Sequence, residues 1–167
     1  MKYERFEQLP VWNAAIDLAV KTYAMTAKPS FNGNSSLRDQ MERAAVSVSN
    51  NVAEGFERGT TPELLSFLYI ARGSAGEVRS MLCLLERLPG FVNLKSGIAN
   101  LKSTAEGISR QLRAWADSLQ NSPIKGRRYL TAKTRRADKT SREREEFIER
   151  LGQLSRQKAP ENTNGSS

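Results

Sequence analysis

Apolar residues recur along this chain at the three- and four-residue intervals of an amphipathic helix, in four runs separated by Pro, Gly and Asn. The first run spans about 10–27 and sets Trp12, Ile16, Ala19, Val20 and Tyr23 on one face, with Pro10 suited to a first helical turn. The second begins near Ser36, where Asp39 follows three residues on in a capping-box-like arrangement, and stacks Leu37, Met41, Ala44, Ala45, Val48 and Val52. Gly55 and Gly59 are expected to end it. The third opens at Thr61-Pro62-Glu63, read as an N-cap, a first-turn proline and an acid at the positive end of the helix dipole. It runs to Leu88-Pro89-Gly90 with Leu64, Leu68, Ala71, Ala75, Val78, Leu82 and Leu85 inward. In the fourth, Leu94, Ile98, Leu101, Ala105, Ile108, Leu112, Trp115 and Leu119 alternate spacings of four and three, an a/d heptad seam.

Connections of a few residues between long helices force neighbours to run antiparallel. The predicted fold is therefore all-α, an antiparallel up-down-up-down four-helix bundle over residues 1–120, with a basic extension over 121–167. Gly73 and Gly76 lie inside the third helix, where each costs roughly 1 kcal/mol of helix propensity. They are expected to open a small surface for the close approach of another helix.

After Asn121 the character of the chain changes. Residues 121–167 carry 12 basic and 6 acidic side chains, so most of the formal charge of +8 lies there and residues 1–120 keep +2. Residues 122–144 form a basic arm with Lys125, Arg127, Arg128, Lys133, Arg135, Arg136, Lys139, Arg142 and Arg144 against Asp138 and Glu143, broken by Pro123 and Gly126. A short amphipathic helix is expected over about 141–157, where Phe147, Ile148, Leu151 and Leu154 recur at helical spacing.

The absence of histidine and the single Cys83 exclude Ser-His-Asp triads, Cys-His dyads and His-rich or multi-Cys zinc sites. No enzymatic activity, metal or cofactor is expected. No apolar run approaches the roughly 18–20 residues of a membrane span, and the charged start MKYERFEQLP lacks a signal peptide's apolar stretch. A cytoplasmic protein without a membrane partner is the expectation. Cys83 reads as a small core residue, and Trp12, Tyr69 and Trp115 as packing residues rather than base-stacking platforms.

Two groupings are candidate sites. Adjacent arginine pairs with interspersed lysines and Tyr129 suit phosphate contacts, which points the arm's nine cations to nucleic acid; the alternative is a solubilising tail on a protein-interaction scaffold. In the body, Asn51, Glu54 and Arg58 gather at the end of the second helix, and Arg43, Gly73, Gly76 and Glu77 complete a set read as structural or interfacial. Glu54 and Glu77 are each expected to pair with Arg43 or Arg72 rather than to act as an acid/base couple.

Tyr3-Glu4-Arg5-Phe6-Glu7-Gln8-Leu9-Pro10-Val11-Trp12, Arg43-Ala44-Ala45-Val46-Ser47-Val48, Asn51-Val52-Ala53-Glu54-Gly55-Phe56-Glu57-Arg58 and Phe67-Leu68-Tyr69-Ile70-Ala71-Arg72-Gly73-Ser74-Ala75-Gly76-Glu77 resemble, in order and spacing, a bacterial family. It is the four-helix-bundle proteins first noticed in intervening sequences of 23S ribosomal RNA genes, and the likeness covers about 3–119. Relatives usually carry a proline where this chain has Ser49, so a kink there is expected to be weaker. The resemblance implies a homo-oligomer, commonly a pentameric barrel of bundles. Similar proteins include the accessory variability determinants of diversity-generating retroelements, which bind nucleic acid beside a reverse transcriptase. It thus implies RNA or DNA and a reverse transcriptase as partners.

Overall fold

The computed structural model describes residues 3–121 and, beyond them, Arg150. Four helices, α1 (Pro10–Thr26), α2 (Ser35–Glu57), α3 (Thr61–Arg87) and α4 (Lys95–Gln120), follow one another with 3-10 turns at Phe6–Gln8, Pro29–Phe31 and Pro89–Leu94, and the described residues contain no strand. By internal contacts the chain divides into two units, residues 1–128 and 129–167. Of the second, only Arg150 is described; it is helical.

Local chemistry sets the helix ends. Thr60, one residue before the expected cap, closes a capping box: its hydroxyl accepts from the Glu63 amide at 3.4 Å and donates to the Glu63 carboxylate at 2.6 Å. Thr61 and Pro62 then occupy the first turn. The expected box at Ser36 and Asp39 does not form, because α2 starts at Ser35 and its cap position, Asn34, makes no side-chain capping bond. Gly33 before it takes φ +81°, the left-handed conformation that turns the chain into α2.

The core is a column of aliphatic side chains from all four helices. Leu18, Met41, Val48, Val52, Leu64, Leu68, Val78, Leu82, Leu85, Ile98, Ile108 and Leu112 are all fully buried. Every inward position expected for α3 is buried, and of the fourth run Leu94, at the end of the preceding 3-10 turn, and Ile98, Leu101, Ala105, Ile108 and Leu112 of α4 are too, with Trp115 and Leu119 packed at the margin. Helix α1 departs from expectation. Its buried face is Val11, Ala15, Leu18, Ala19, Thr22 and Met25, whereas Val20 and Tyr23 are 62% and 49% exposed. The helix carries two overlapping apolar stripes: of the expected one Ala19 is buried, Trp12 packs against the core and Ile16 is half-buried, while Val20 and Tyr23 stay outside. Thr22 and Thr26 are tolerated inside because their hydroxyls donate to the Leu18 carbonyl and to Glu42 Oε1.

Adjacent helices pack around the ring α1–α2–α3–α4, and the diagonals make at most marginal contact. Cross-links fix the antiparallel register. Ser47 and Ser74 share a hydroxyl hydrogen bond of 2.9 Å between α2 and α3, while Lys102–Glu86 and Gln120–Tyr69, both 2.7 Å, tie α4 to α3. Gly55 does not end α2; it is buried inside it, and a Cβ there would lie 2.7 Å from Phe67 Cβ and 3.2 Å from Leu64. Gly73 and Gly76 are exposed, and a Cβ at either would meet nothing within 4 Å. Close approach within the bundle therefore falls at Gly55. Residue 49 sits within the continuous α2, Ser49 donating to the Val46 carbonyl at 3.0 Å.

Alanine substitutions at the glycines should therefore differ in sign. Gly55→Ala should lose about 1–3 kcal/mol through overpacking. Gly73→Ala should gain roughly 0.5–1 kcal/mol from helix propensity. In the core, Leu101→Ala should cost about 2–5 kcal/mol, against a change within about 0.5 kcal/mol for exposed Ser103→Ala. Urea denaturation of the four variants checks both pairs, and equal midpoints within a pair would contradict these packing assignments.

Candidate functional site

The nine basic residues of the arm, Lys125, Arg127, Arg128, Lys133, Arg135, Arg136, Lys139, Arg142 and Arg144, lie outside the described residues, as does the helix expected over 141–157 apart from Arg150. The body residues can be placed. Asn51 donates to the Ser47 carbonyl at 2.7 Å and to its hydroxyl at 3.0 Å, so its amide is spent on its own helix rather than shared with Glu54. Glu54 pairs instead with Arg58 one turn on, at 2.6 Å. Arg58 also lies 3.9 Å from Glu63 and caps the Phe67 ring at 5.2 Å from its centroid. The hydrogen bond that Arg58 donates to Glu54 raises the guanidinium above its ordinary pKa. This cluster locks the α2–α3 corner, and all its partners are accounted for.

The expected pairing of Glu54 and Glu77 with Arg43 or Arg72 does not occur. Glu54 is taken by Arg58, while Arg43, Arg72 and Glu77 have no ion pair among the described residues. Glu77 is exposed on the outer face of α3 beside Gly73 and Gly76. Cys83 is half-buried at the α3–α4 boundary rather than in the core. It neighbours Lys102, whose ammonium is held above its ordinary pKa chiefly by the hydrogen bond to Glu86 and additionally by the thiol.

Two features escaped the sequence pattern. Arg72 and Arg79 are the half-buried arginines of the described residues, and neither has a carboxylate partner. The other is a pair of exposed apolar faces: Val20 and Tyr23 on α1, and Tyr69, Ile70 and Leu84 with Gly73, Gly76 and Ser80 on α3. The doubled stripe of α1 was legible, but which stripe faces outward was not. An open groove of about 200 Å³ between α1 and α4 is lined by Lys21, Ala24, Met25, Lys28, Gly97, Asn100 and Leu101. Its size is below the roughly 300–1,000 Å³ usual for small-molecule sites. No cluster of metal-ligating residues and no helix long and apolar enough to cross a membrane occurs among the described residues.

This geometry defines an all-α protein whose body is an antiparallel four-helix bundle. Residues 7–119 match the family described as 23S rRNA-intervening sequence protein, and the chain belongs to that family. A crystal structure of a protein of unknown function from the S23 ribosomal protein family of Bacteroides thetaiotaomicron superposes with a TM-score of 0.56 at 19% identity, covering 64% of this chain and 97% of that one. At that identity the likeness is one of fold. No curated protein matches the chain.

The Arg58 cluster should behave as a surface fastening. Arg58→Ala is expected to lower stability no more than an ordinary exposed substitution does, since its ion pairs are open to solvent and screened by it. A thermal melt beside wild type checks this, and a loss several times larger would mean that the corner is tighter than its exposure implies.

Proposed function

We propose that this chain is a non-enzymatic, homo-oligomeric nucleic-acid-binding accessory protein whose basic arm holds the phosphate backbone. The observation that carries the reading is the division of charge: 12 basic and 6 acidic side chains in residues 121–167 follow a body of only +2. Such a segment supplies counterion-releasing contacts and no arrangement of groups for reading base edges. Self-association is favoured by the uncovered apolar faces of α1 and α3, which place Val20, Tyr23, Tyr69, Ile70 and Leu84 in water in a single copy. Several copies in one particle would gather several arms, and multivalency would raise a weak single-arm affinity. The reading extends to a retroelement reverse transcriptase as the enzyme served and to a cytoplasmic location.

The same apolar faces favour a second reading, in which the bundle is a scaffold for another protein and the arm only keeps it soluble. Titration of labelled single-stranded and duplex RNA and DNA separates the two. The full chain should bind without strong sequence preference, with log K falling by about 0.7–0.9 per log unit of salt for each phosphate neutralised. Removing residues 121–167 leaves every buried core residue in place, so the bundle should stay folded while affinity and salt slope collapse. Equal binding by both forms would refute the arm, and binding by neither would favour the scaffold. Light scattering should find an oligomer; a monomer at micromolar concentration would remove self-association from the proposal.

A further inference from the structure

The seam between α3 and α4 holds an arrangement that the bundle's own packing does not use. Charged side chains withdrawn from water are ordinarily paired. Among the described arginines, Arg5, Arg38, Arg58, Arg110 and Arg113 are exposed and each has a carboxylate at 2.6–3.6 Å. Arg43 and Arg87 are exposed and have no ion pair among the described residues. Arg72 and Arg79 combine partial burial with the lack of any ion pair or hydrogen bond among the described residues.

Their position follows from helical spacing. Residues 72, 79 and 86 are seven apart and share one stripe of α3, and Glu86 on that stripe touches Lys102 of α4. The side of α3 that meets α2 is marked instead by Phe67 and Ser74. In the antiparallel register set by Lys102–Glu86, two turns inward bring Arg79 opposite Ser109, and two more bring Arg72 opposite Ala116. Both facing residues are small, Ser109 half-buried and Ala116 buried, so α4 offers no acid at either level. The nearby α4 carboxylates are engaged along their own helix, Glu106 by Arg110 and Asp117 by Arg113.

We infer that the α3–α4 seam is a second phosphate-binding track, in which Arg72 and Arg79 take two phosphates of one single-stranded nucleic acid. Their Cα atoms stand about 10.5 Å apart along the helix, at ~1.5 Å rise per residue, a spacing from which the two side chains can reach two phosphates of one chain. Planar guanidiniums grip phosphate oxygens in pairs, and partial withdrawal from water strengthens that contact. At the far end of the seam Tyr69 is tied through its hydroxyl to Gln120, the last residue of α4. The basic stretch of the sequence starts just after this end of α4, at Lys125. The track deepens the nucleic-acid reading and rests on it.

Anisotropy titration of the full-length protein with a labelled single-stranded RNA, at several salt concentrations, tests the track. Arg72→Gln/Arg79→Gln should weaken binding about 10-fold or more and reduce the salt slope by roughly 1.4–1.8, two phosphates' worth. Arg5→Gln/Arg38→Gln removes the same charge from paired, exposed positions outside the seam and should cost about 3-fold or less, since those cations are already neutralised. Should the double seam variant fail to fold by circular dichroism, the single variants Arg72→Gln and Arg79→Gln are each expected to lower the slope by ~0.7–0.9. Equal effects of seam and control variants would overturn the track. If that equality accompanies a large loss on neutralising Arg127, Arg128, Arg135 and Arg136, the nucleic-acid reading stands without it. Displacement of RNA from the wild type by low-millimolar inorganic phosphate would identify a free-anion site and also overturn the track, and failure of the wild type to bind RNA or DNA would remove both readings.

Discussion

A hydrogen atom in place of a side chain at residue 55 governs how the two longest seams of this bundle are built. Helix α2 meets α3 at Gly55 so closely that a methyl group would stand 2.7 Å from Phe67 Cβ. That contact brings the backbones together at the corner where Thr60 caps α3 and Arg58 spans Glu54, Glu63 and the Phe67 ring. With α3 pinned there, its long aliphatic stripe points into the column of Leu64, Leu68, Val78, Leu82 and Leu85, and α4 closes over the remaining side. The phase of α3 decides which residues meet α2, which meet α4 and which are left to solvent, so the placement of Arg72, Arg79 and the outer apolar face follows from it.

Sequence periodicity was informative where a helix has one apolar stripe. In α3 and most of α4 the inward residues could be named individually, because any other phase would expose a row of Leu and Ile and forfeit roughly 1.5–3 kcal/mol for each. In α1 both phases were hydrophobic, and only the neighbouring helices decide between Leu18 and Val20. The glycines were harder still. Helix propensity says what a glycine costs but not what the missing side chain makes room for, so Gly55 passed for a helix end.

The polar groups show the same limit at finer scale. Asn51, Glu54 and Arg58 lie within two turns in sequence, yet their hydrogen bonds separate: the amide is satisfied one turn back, and the ions pair one turn forward. Arg72 and Arg79 stand out only after partners and burial are known for the other described arginines, information that spacing along the sequence does not carry. The match over residues 7–119 specifies the bundle and is silent on these details.

The outer apolar faces of α1 and α3 have a geometric consequence. In the ring of four helices, α1 and α3 occupy opposite corners, so the two faces look away from each other and are unlike in composition: one protrudes with Val20 and Tyr23, the other is notched at Gly73 and Gly76. A contact that joins the protruding face of one copy to the notched face of the next is head to tail rather than two-fold symmetric. Each added copy then presents a fresh face, and the fixed rotation between neighbours alone decides whether the series closes into a ring or continues as a filament.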